Sequence, residues 1–251
     1  PVIIDEPTRV DSGDEVPKVT GVPSIRNRTI AHLLNSKMAG HTYADSVGKK
    51  YRELNLIIAH LGGGITLGFH DHGRIADWVY DDEGPMSPQR AGAIPTRYMT
   101  EFCYESGKGL QEMKMYLCGQ TGFVAYFGTH DMRAVEKMID EGNGEAKLVY
   151  EAMAYGVARS IGRLSICRNG AVDQIILTGG LAHSARFTDL IAEKVGFIAP
   201  VTVVPGEREM EALAAGALRV LNGEEDIHPY DIYPPGYNSI EEIRARPNHL
   251  A

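Results

Sequence analysis

The sequence is poor in cysteine and contains no long apolar run. Its three cysteines in 251 residues, Cys103, Cys118 and Cys167, are an odd number without the spacing of a zinc site. They predict free thiols in a reducing cytoplasm rather than a disulfide framework. No stretch approaches the ~18 consecutive apolar residues of a membrane-spanning helix, and no signal peptide is visible. We therefore expect a cytoplasmic protein without a membrane partner.

An excess of positive charge is also missing. The chain has 25 Lys and Arg residues against 33 Asp and Glu residues, which gives a formal net charge of −8. Neutralising nucleic-acid phosphates requires a basic surface, so we expect no nucleic-acid partner. The hydrophobic fraction of 43% and the charged fraction of 23% are typical of a globular protein that can form one large or two small domains.

Two common phosphate-binding patterns, G-x-G-x-x-G and G-x-x-x-x-G-K-[ST], do not occur. A different glycine-rich segment is present instead, in which His60 and Leu61 precede Gly62, Gly63 and Gly64. Short apolar runs on both sides predict strands. Glycine allows positive φ angles and lets backbone N–H groups approach a ligand closely. The segment therefore predicts a phosphate-binding turn, with a plain tight hairpin as the alternative.

A second glycine pair, Gly179 and Gly180, follows another predicted buried strand over residues 174–177. Two such loops favour a protein that holds a nucleotide at two points. The alternative is that the second loop is an ordinary connection between a strand and a helix.

The order of predicted elements indicates an α/β protein with a mixed sheet. Residues 54–80 predict three antiparallel strands, after a short strand at Val2–Ile4. Ser24 and Thr129 are the expected N-cap residues of two helices. The other elements are predicted as helices over 24–40, 129–142, 145–167, 184–195 and 207–221, and as strands over 172–177 and 200–204. Residues 96–117 are also predicted to be helical, with an interruption at Gly107 and Gly109.

Four segments in the same order along the chain carry a family resemblance: His60 to Ile65, Glu83 to Gly92, Leu177 to Ser184 and Pro205 to Leu213. They closely resemble the butyrate kinase family, a branch of the acetate kinases in the actin-like ATPase superfamily. The resemblance implies an actin-like ATPase (ribonuclease H-like) fold, which is a mixed sheet with helices on both faces.

The resemblance does not extend to the family's first phosphate-binding hairpin, an Asn-Pro-Gly-Ser-Thr-Ser-Thr-Lys-like loop. We therefore expect the N-terminal domain to be incomplete, with residues 1–50 as its hinge-side remnant. Residues 51–225 are then the nucleotide-binding domain, and residues 226–251 are a C-terminal tail.

The resemblance implies reversible phosphoryl transfer between ATP and butyrate, or a similar short or branched acid, with Mg²⁺. The implied partners are the small carboxylic acid and a second copy of the chain in a homo-oligomer. Two alternatives remain open. One is a non-catalytic nucleotide-binding module that needs the missing N-terminal part, and the other is a sugar kinase of the same superfamily.

Phosphoryl transfer gives the glycine loops candidate roles. Gly62, Gly63 and Gly64 would bind the β- and γ-phosphates with His60 beside them, and Gly179, Gly180, Gly206 and Glu207 would enclose the nucleoside. The resemblance assigns roles to two further residues. Arg90 falls where the family carries a transition-state arginine, whose planar fork suits phosphoryl oxygens. His32 falls at the family's active-site histidine. The alternatives are a solvated loop arginine and a core histidine.

Asp5 follows the first predicted strand, where the family has a carboxylate for Mg²⁺ or for the nucleophile. An aspartate at a strand end is otherwise a plain turn residue. His70 and His72 could suggest a second metal site, but they flank a predicted hairpin turn, so we expect their side chains to diverge.

Overall fold

The computed structural model describes residues 13–27 and 31–224. Its centre is a five-stranded sheet in the order β3-β2-β1-β4-β5. The strands are β1 (Asn55–Leu61), β2 (Ile65–Asp71), β3 (Arg74–Val79), β4 (Gln174–Gly179) and β5 (Val201–Pro205). The pairs β1–β2 and β2–β3 are antiparallel, whereas β1–β4 and β4–β5 are parallel. The predicted mixed sheet is confirmed.

Helices cover both faces of this sheet. They are α1 (Leu33–Ser46), α2 (Thr96–Glu105), α3 (Leu110–Gly119), α4 (Phe123–Phe127), α5 (Met132–Asp140), α6 (Gly144–Leu164), α7 (Ala185–Val195) and α8 (Glu209–Leu221). Helices α6 and α7 pack on one face, and α1 packs on the other against β1, β4 and α8. Among the described residues, none of these helices is both long and apolar enough to span a membrane.

Alternation along β1 sends its side chains to two separate cores. Ile57, Ala59 and Leu61 join the large cluster under α6 and α7. Leu56 and Ile58 join a smaller cluster under α1. Because successive side chains of a strand point to opposite faces, the next residue on the α1 side is His60. This is why a histidine is buried at the end of the strand.

Helix α1 begins later than predicted. It runs from Leu33 to Ser46 with His32 at its N-cap, so the prediction of Ser24 as the cap and of Gly40 as the end is wrong. Gly40 lies inside the helix because β1 is very close there. A Cβ on Gly40 would lie 2.7 Å from the Tyr51 ring. Here glycine is needed for space rather than to end a helix.

Two other boundaries differ from the prediction. Asp131, rather than Thr129, caps α5, because its carboxylate accepts a hydrogen bond from the N–H of Arg133 at 3.0 Å. Strand β4 continues to Gly179, which pairs with Pro205 of β5. The first glycine of the second loop therefore still belongs to the sheet.

The predicted long helix near the centre of the chain is confirmed as α6, and its apolar stripe is buried. Gly156 on this helix meets the loop after β3, since a Cβ there would lie 2.9 Å from Pro85 Cβ. The predicted strand at Val2–Ile4 and the tail 226–251 lie outside the described residues.

Glycine at position 179 should be essential for stability. Its φ is +91°, and a Cβ would lie 2.5 Å from the carbonyl oxygen of Leu61. We expect Gly179→Ala to lower the free energy of unfolding by about 2 kcal/mol or more. The matched control is Gly162→Ala in α6, where a Cβ meets open space and helix propensity should add up to ~1 kcal/mol. Urea unfolding followed by circular dichroism measures both, and equal stability of the two variants would contradict the expectation.

Candidate functional site

The carboxyl ends of three parallel strands bring the predicted glycine loops to one edge of the sheet. β1 leads into the glycine turn Gly62–Gly64, β4 ends at Gly179, and β5 leads to Gly206. Gly179 and Gly206 exchange two backbone hydrogen bonds of 3.2 and 3.0 Å. Both have positive φ angles, +91° and +96°. Ligands of open α/β sheets bind at this edge, which makes it the candidate site.

One carboxylate lies between the two glycine loops. Oε1 of Glu207 is 3.4 Å from where a Cβ of Gly62 would stand and 4.0 Å from where one of Gly180 would stand. The same atom is 3.5 Å from Nε2 of His60. The glycine turn and the second loop are thus within reach of a single side chain.

The glycine turn differs in detail from the prediction. None of Gly62, Gly63 and Gly64 has a positive φ, so the argument from conformational freedom is wrong for this turn. Glycine is needed there for space, since a Cβ on Gly63 would lie 2.5 Å from Oε1 of Gln89. The N–H of Gly62 donates to the carbonyl of Gly64 at 3.1 Å. Of the three backbone donors, that of Gly62 is therefore already used within the turn.

The loop after β3 holds the glycine turn in place. The hydroxyl of Ser87 and the N–H of Gln89 both donate to the carbonyl of Gly63, at 2.6 and 3.2 Å. Arg90 follows directly, and its Nε donates to Oδ2 of Asp81 at 3.1 Å. That oxygen is 3.2 Å from where a Cβ of Gly64 would stand. Arg90 is therefore connected to the glycine turn through Asp81.

His32 and His60 form a stacked pair beside the turn. Their ring centroids are 3.9 Å apart and the rings are nearly parallel, at 11°. Nδ1 of His32 lies 2.9 Å from the hydroxyl oxygen of Thr66, and the same oxygen accepts a hydrogen bond from the backbone N–H of His32 at 3.2 Å. The first helix and the second strand thus fix one ring, and β1 fixes the other.

Asn35 connects the pair to the rest of the site. Its amide nitrogen lies 2.9 Å from Nδ1 of His60 and donates to the hydroxyl of Thr178 at 3.2 Å. Its amide oxygen accepts the backbone N–H of Arg208 at 3.1 Å. A single buried side chain therefore joins α1 to β1, β4 and the segment that leads into α8.

Both imidazoles favour the neutral form. Burial and, to a smaller extent, the adjacent His32 together lower the pKa of His60 to about 3. Burial also lowers the pKa of His32, outweighing the carboxylates of Asp81, Glu209 and Glu207, which act in the opposite direction. The contact of His60 with Glu207 is therefore between a neutral ring and a carboxylate, not an ion pair.

The structure brings together every predicted site residue that it describes, whereas Asp5 lies outside the described residues. Asn35, Thr66 and Asp81 also belong to the site, although no sequence pattern had singled them out. Asn35 lies one turn after His32 on a helix, and that spacing is a signal that could have identified it. Lys37, two residues further along α1, is buried as well.

A metal site at His70 and His72 finds no support. His70 is fully buried and contacts the hydroxyl of Tyr51, whereas His72 is exposed and contacts Asp71. Among residues 13–27 and 31–224, no group of three or more potential metal ligands is present. The expected divergence of the two side chains is confirmed.

Comparison with known proteins agrees with this architecture. A family model described as the Acetokinase family matches residues 27–200. The chain is 46% identical over 226 residues to a probable butyrate kinase 2 from Caldanaerobacter subterraneus subsp. tengcongensis, a match that covers 90% of this chain. The chain spans 64% of the length of that relative.

Solved structures show the same fold. An acetate kinase from Porphyromonas gingivalis matches with a TM-score of 0.75 and 19% identity, over 83% of this chain and 61% of that one. A propionate kinase from Francisella tularensis subsp. tularensis matches with a TM-score of 0.72 and 21% identity, over 81% and 60%. The predicted actin-like ATPase fold is confirmed.

The buried histidines should make stability depend on pH. Burial lowers the pKa of His60 and of His70 from 6.5 to about 3 in the folded state. The unfolded chain therefore binds more protons below pH 6.5, so the free energy of unfolding should fall as the pH falls from 6.5 towards 3. Each histidine can contribute up to about 1.4 kcal/mol per pH unit.

Urea unfolding at several pH values tests this dependence. We expect His60→Gln and His70→Gln each to make the slope of unfolding free energy against pH shallower by up to about 1.4 kcal/mol per pH unit, which corresponds to one proton. This holds whatever the absolute stability of each variant. A slope in His60→Gln equal to that of the parent chain would show that the ring titrates normally when folded.

Proposed function

Because the chain belongs to the acetokinase family, we propose that it carries the nucleotide-binding part of a carboxylate kinase. The reaction is reversible phosphoryl transfer between ATP and a short or branched acid such as butyrate. The observation that supports this best is the meeting of the glycine turn, the stacked histidines and Arg90 at the end of β1. The probable butyrate kinase 2, at 46% identity, favours butyrate as the first acid to test.

In the proposed reaction, a carboxylate oxygen of the acid attacks the γ-phosphorus of ATP. The bond from that phosphorus to the β–γ bridging oxygen breaks, and ADP leaves with the electron pair. Such transfers need mainly positioning and neutralisation of charge on the phosphoryl oxygens. The N–H groups of Gly63 and Gly64 suit the β- and γ-phosphates, and His32 and His60 lie beside them.

Arg90 is the cation of this arrangement. Its Nε is held by Asp81 at 3.1 Å, and one terminal nitrogen contacts the carbonyl of Cys118. The guanidinium has five N–H donors, so further donors remain for phosphoryl oxygens. Gly179, Gly180, Gly206 and Glu207 are proposed to enclose the nucleoside on the other side of the glycine turn.

Mg²⁺ is proposed as the companion of ATP. It usually binds through one or two carboxylates, waters and the phosphates themselves, so it needs no dedicated cluster of ligands. The carboxylate of Glu207, beside the glycine turn and 53% exposed, fits that chemistry, and Asp5 stays a predicted ligand. When bound, the ion would neutralise charge on the phosphate oxygens.

Self-association and a cytoplasmic location stay predictions. The exposed apolar side chains of α2 and α3 support a homo-oligomer: Tyr98, Phe102, Tyr104, Leu110 and Met115 are all exposed. No residue of α2 is buried. A second copy of the chain is a natural partner for such a surface.

The kinase proposal is tested by trapping the acyl phosphate with hydroxylamine after incubation with ATP, Mg²⁺ and butyrate. We expect Arg90→Ala to lower kcat by about 10²- to 10³-fold, because it removes charge stabilisation at the transferring group. The matched control is Arg97→Ala on α2, an exposed arginine paired with Glu101, which should leave kcat unchanged. Equal losses in the two variants would argue against the role of Arg90.

A non-catalytic nucleotide-binding module is the second candidate, because the chain spans only 64% of the length of its relative. Calorimetry with ADP and Mg²⁺ separates the two. Both candidates require ADP binding that Gly63→Ala weakens, since the added methyl enters the phosphate turn while displacing only the flexible end of Gln89. Binding without acyl phosphate formation would favour the module.

Phosphorylation of glucose but not of butyrate would favour a sugar kinase.

A further inference from the structure

The orientation of the Asn35 amide is fixed by its surroundings. The backbone N–H of Arg208 can only donate, so the atom of Asn35 that faces it at 3.1 Å must be the oxygen. The amide nitrogen then faces Nδ1 of His60 at 2.9 Å and the hydroxyl of Thr178 at 3.2 Å. Asn35 is 2% exposed, and these three contacts use its oxygen and both of its N–H groups.

This orientation determines which nitrogen of His60 carries the proton. Because Asn35 donates to Nδ1, that nitrogen must be the acceptor of the ring. A neutral imidazole then has its hydrogen on Nε2. Nε2 lies 3.0 Å from where a Cβ of Gly62 would stand and 3.5 Å from Oε1 of Glu207, so this N–H group lies beside the glycine turn.

Thr66 imposes the same arrangement on His32. Its hydroxyl oxygen accepts the backbone N–H of His32 at 3.2 Å and lies 2.9 Å from Nδ1 of the same residue. Thr66 is 2% exposed, and a buried hydroxyl needs an acceptor for its hydrogen. Within the described part of the chain, the acceptor found for the hydroxyl hydrogen of Thr66 is Nδ1 of His32. Because Nδ1 then accepts, the hydrogen of the neutral His32 ring is also on Nε2.

We propose that Asn35 and Thr66 are positioning residues that hold His60 and His32 as a stacked pair of neutral donors, each with its hydrogen on Nε2. Both N–H groups then serve an anionic group bound at the glycine turn. The identity of that group as the phosphates of ATP rests on the proposed function, whereas the protonation pattern of the rings does not. Asn35 also ties this pattern to Arg208, so the donor pair and the segment that begins α8 are held by one amide.

The pattern is measured on the full chain without any nucleotide. Long-range ¹H–¹⁵N correlation spectra of the imidazoles distinguish a nitrogen that carries hydrogen from one that does not. At neutral pH we expect hydrogen on Nε2 of both His60 and His32. In Asn35→Asp, a carboxylate oxygen faces Nδ1 of His60, so we expect hydrogen to appear on Nδ1. The control is Asn222→Asp, an exposed asparagine with the same change of charge, which should leave both rings unchanged.

Thr66 is tested in the same spectra with two variants. Thr66→Val removes the hydroxyl at nearly constant volume and should change the ring signals of His32, whereas Thr66→Ser keeps the hydroxyl and should restore them. Hydrogen on Nδ1 of either ring in the parent chain would overturn the proposal. Unchanged His60 signals in a folded Asn35→Asp variant would also overturn it.

Activity gives a separate readout. If the acyl phosphate assay works, Asn35→Asp and Thr66→Val should each lower kcat by about 10- to 100-fold with KM for ATP changed much less, and Thr66→Ser should recover most of the rate. If no kinase activity is found while the ring signals behave as expected, the proposed function fails and the positioning role stands. If activity is normal in both variants, the positioning role fails and the kinase assignment stands.

Discussion

Parallel pairing of β1 with β4 is the constraint on which the site depends. Its register places His60 beside Thr178 and lets the glycine turn and Gly179 leave the sheet at the same edge. The close approach of Gly179 to the carbonyl of Leu61 keeps the two strand ends together. A slip of one residue in this pairing would move His60 away from Thr178 and would break the bridge that Asn35 makes between them.

The same alternation that builds the two cores also positions the chemistry. His60 continues the apolar side of β1 that faces α1, so the strand delivers a histidine into a buried environment. Asn35 and His32 come from the first turn and the N-cap of α1, which packs on that face. Burial then has two effects: it keeps the imidazole neutral, and it makes every unpaired hydrogen-bonding atom costly, so the partners of each ring nitrogen become fixed.

Much of this arrangement could be predicted from the sequence, because it rests on local patterns. Apolar runs flanked by glycines identified the strands, and their order identified the mixed sheet. The end of α1 could not be predicted, because Gly40 is needed for its close contact with Tyr51 rather than to end the helix. The glycines of the turn were expected for their conformational freedom. Glycine is instead needed at position 63 because the side chain of Gln89 occupies the space that a Cβ would take. The roles of Thr66 and Asp81 depend on contacts between distant segments, which no local pattern reveals.

The distribution of charge around the turn explains what the site would still require under the proposed function. Two neutral rings provide hydrogen bonds but no net positive charge, and stacking at 3.9 Å disfavours charging both. Arg90 is already paired with Asp81, so the two together are close to neutral. The carboxylate of Glu207 adds negative charge. Backbone donors and neutral imidazoles can orient triphosphate oxygens, but they cannot compensate their charge. A nucleotide that arrives with its own divalent cation satisfies this requirement, and free ATP does not.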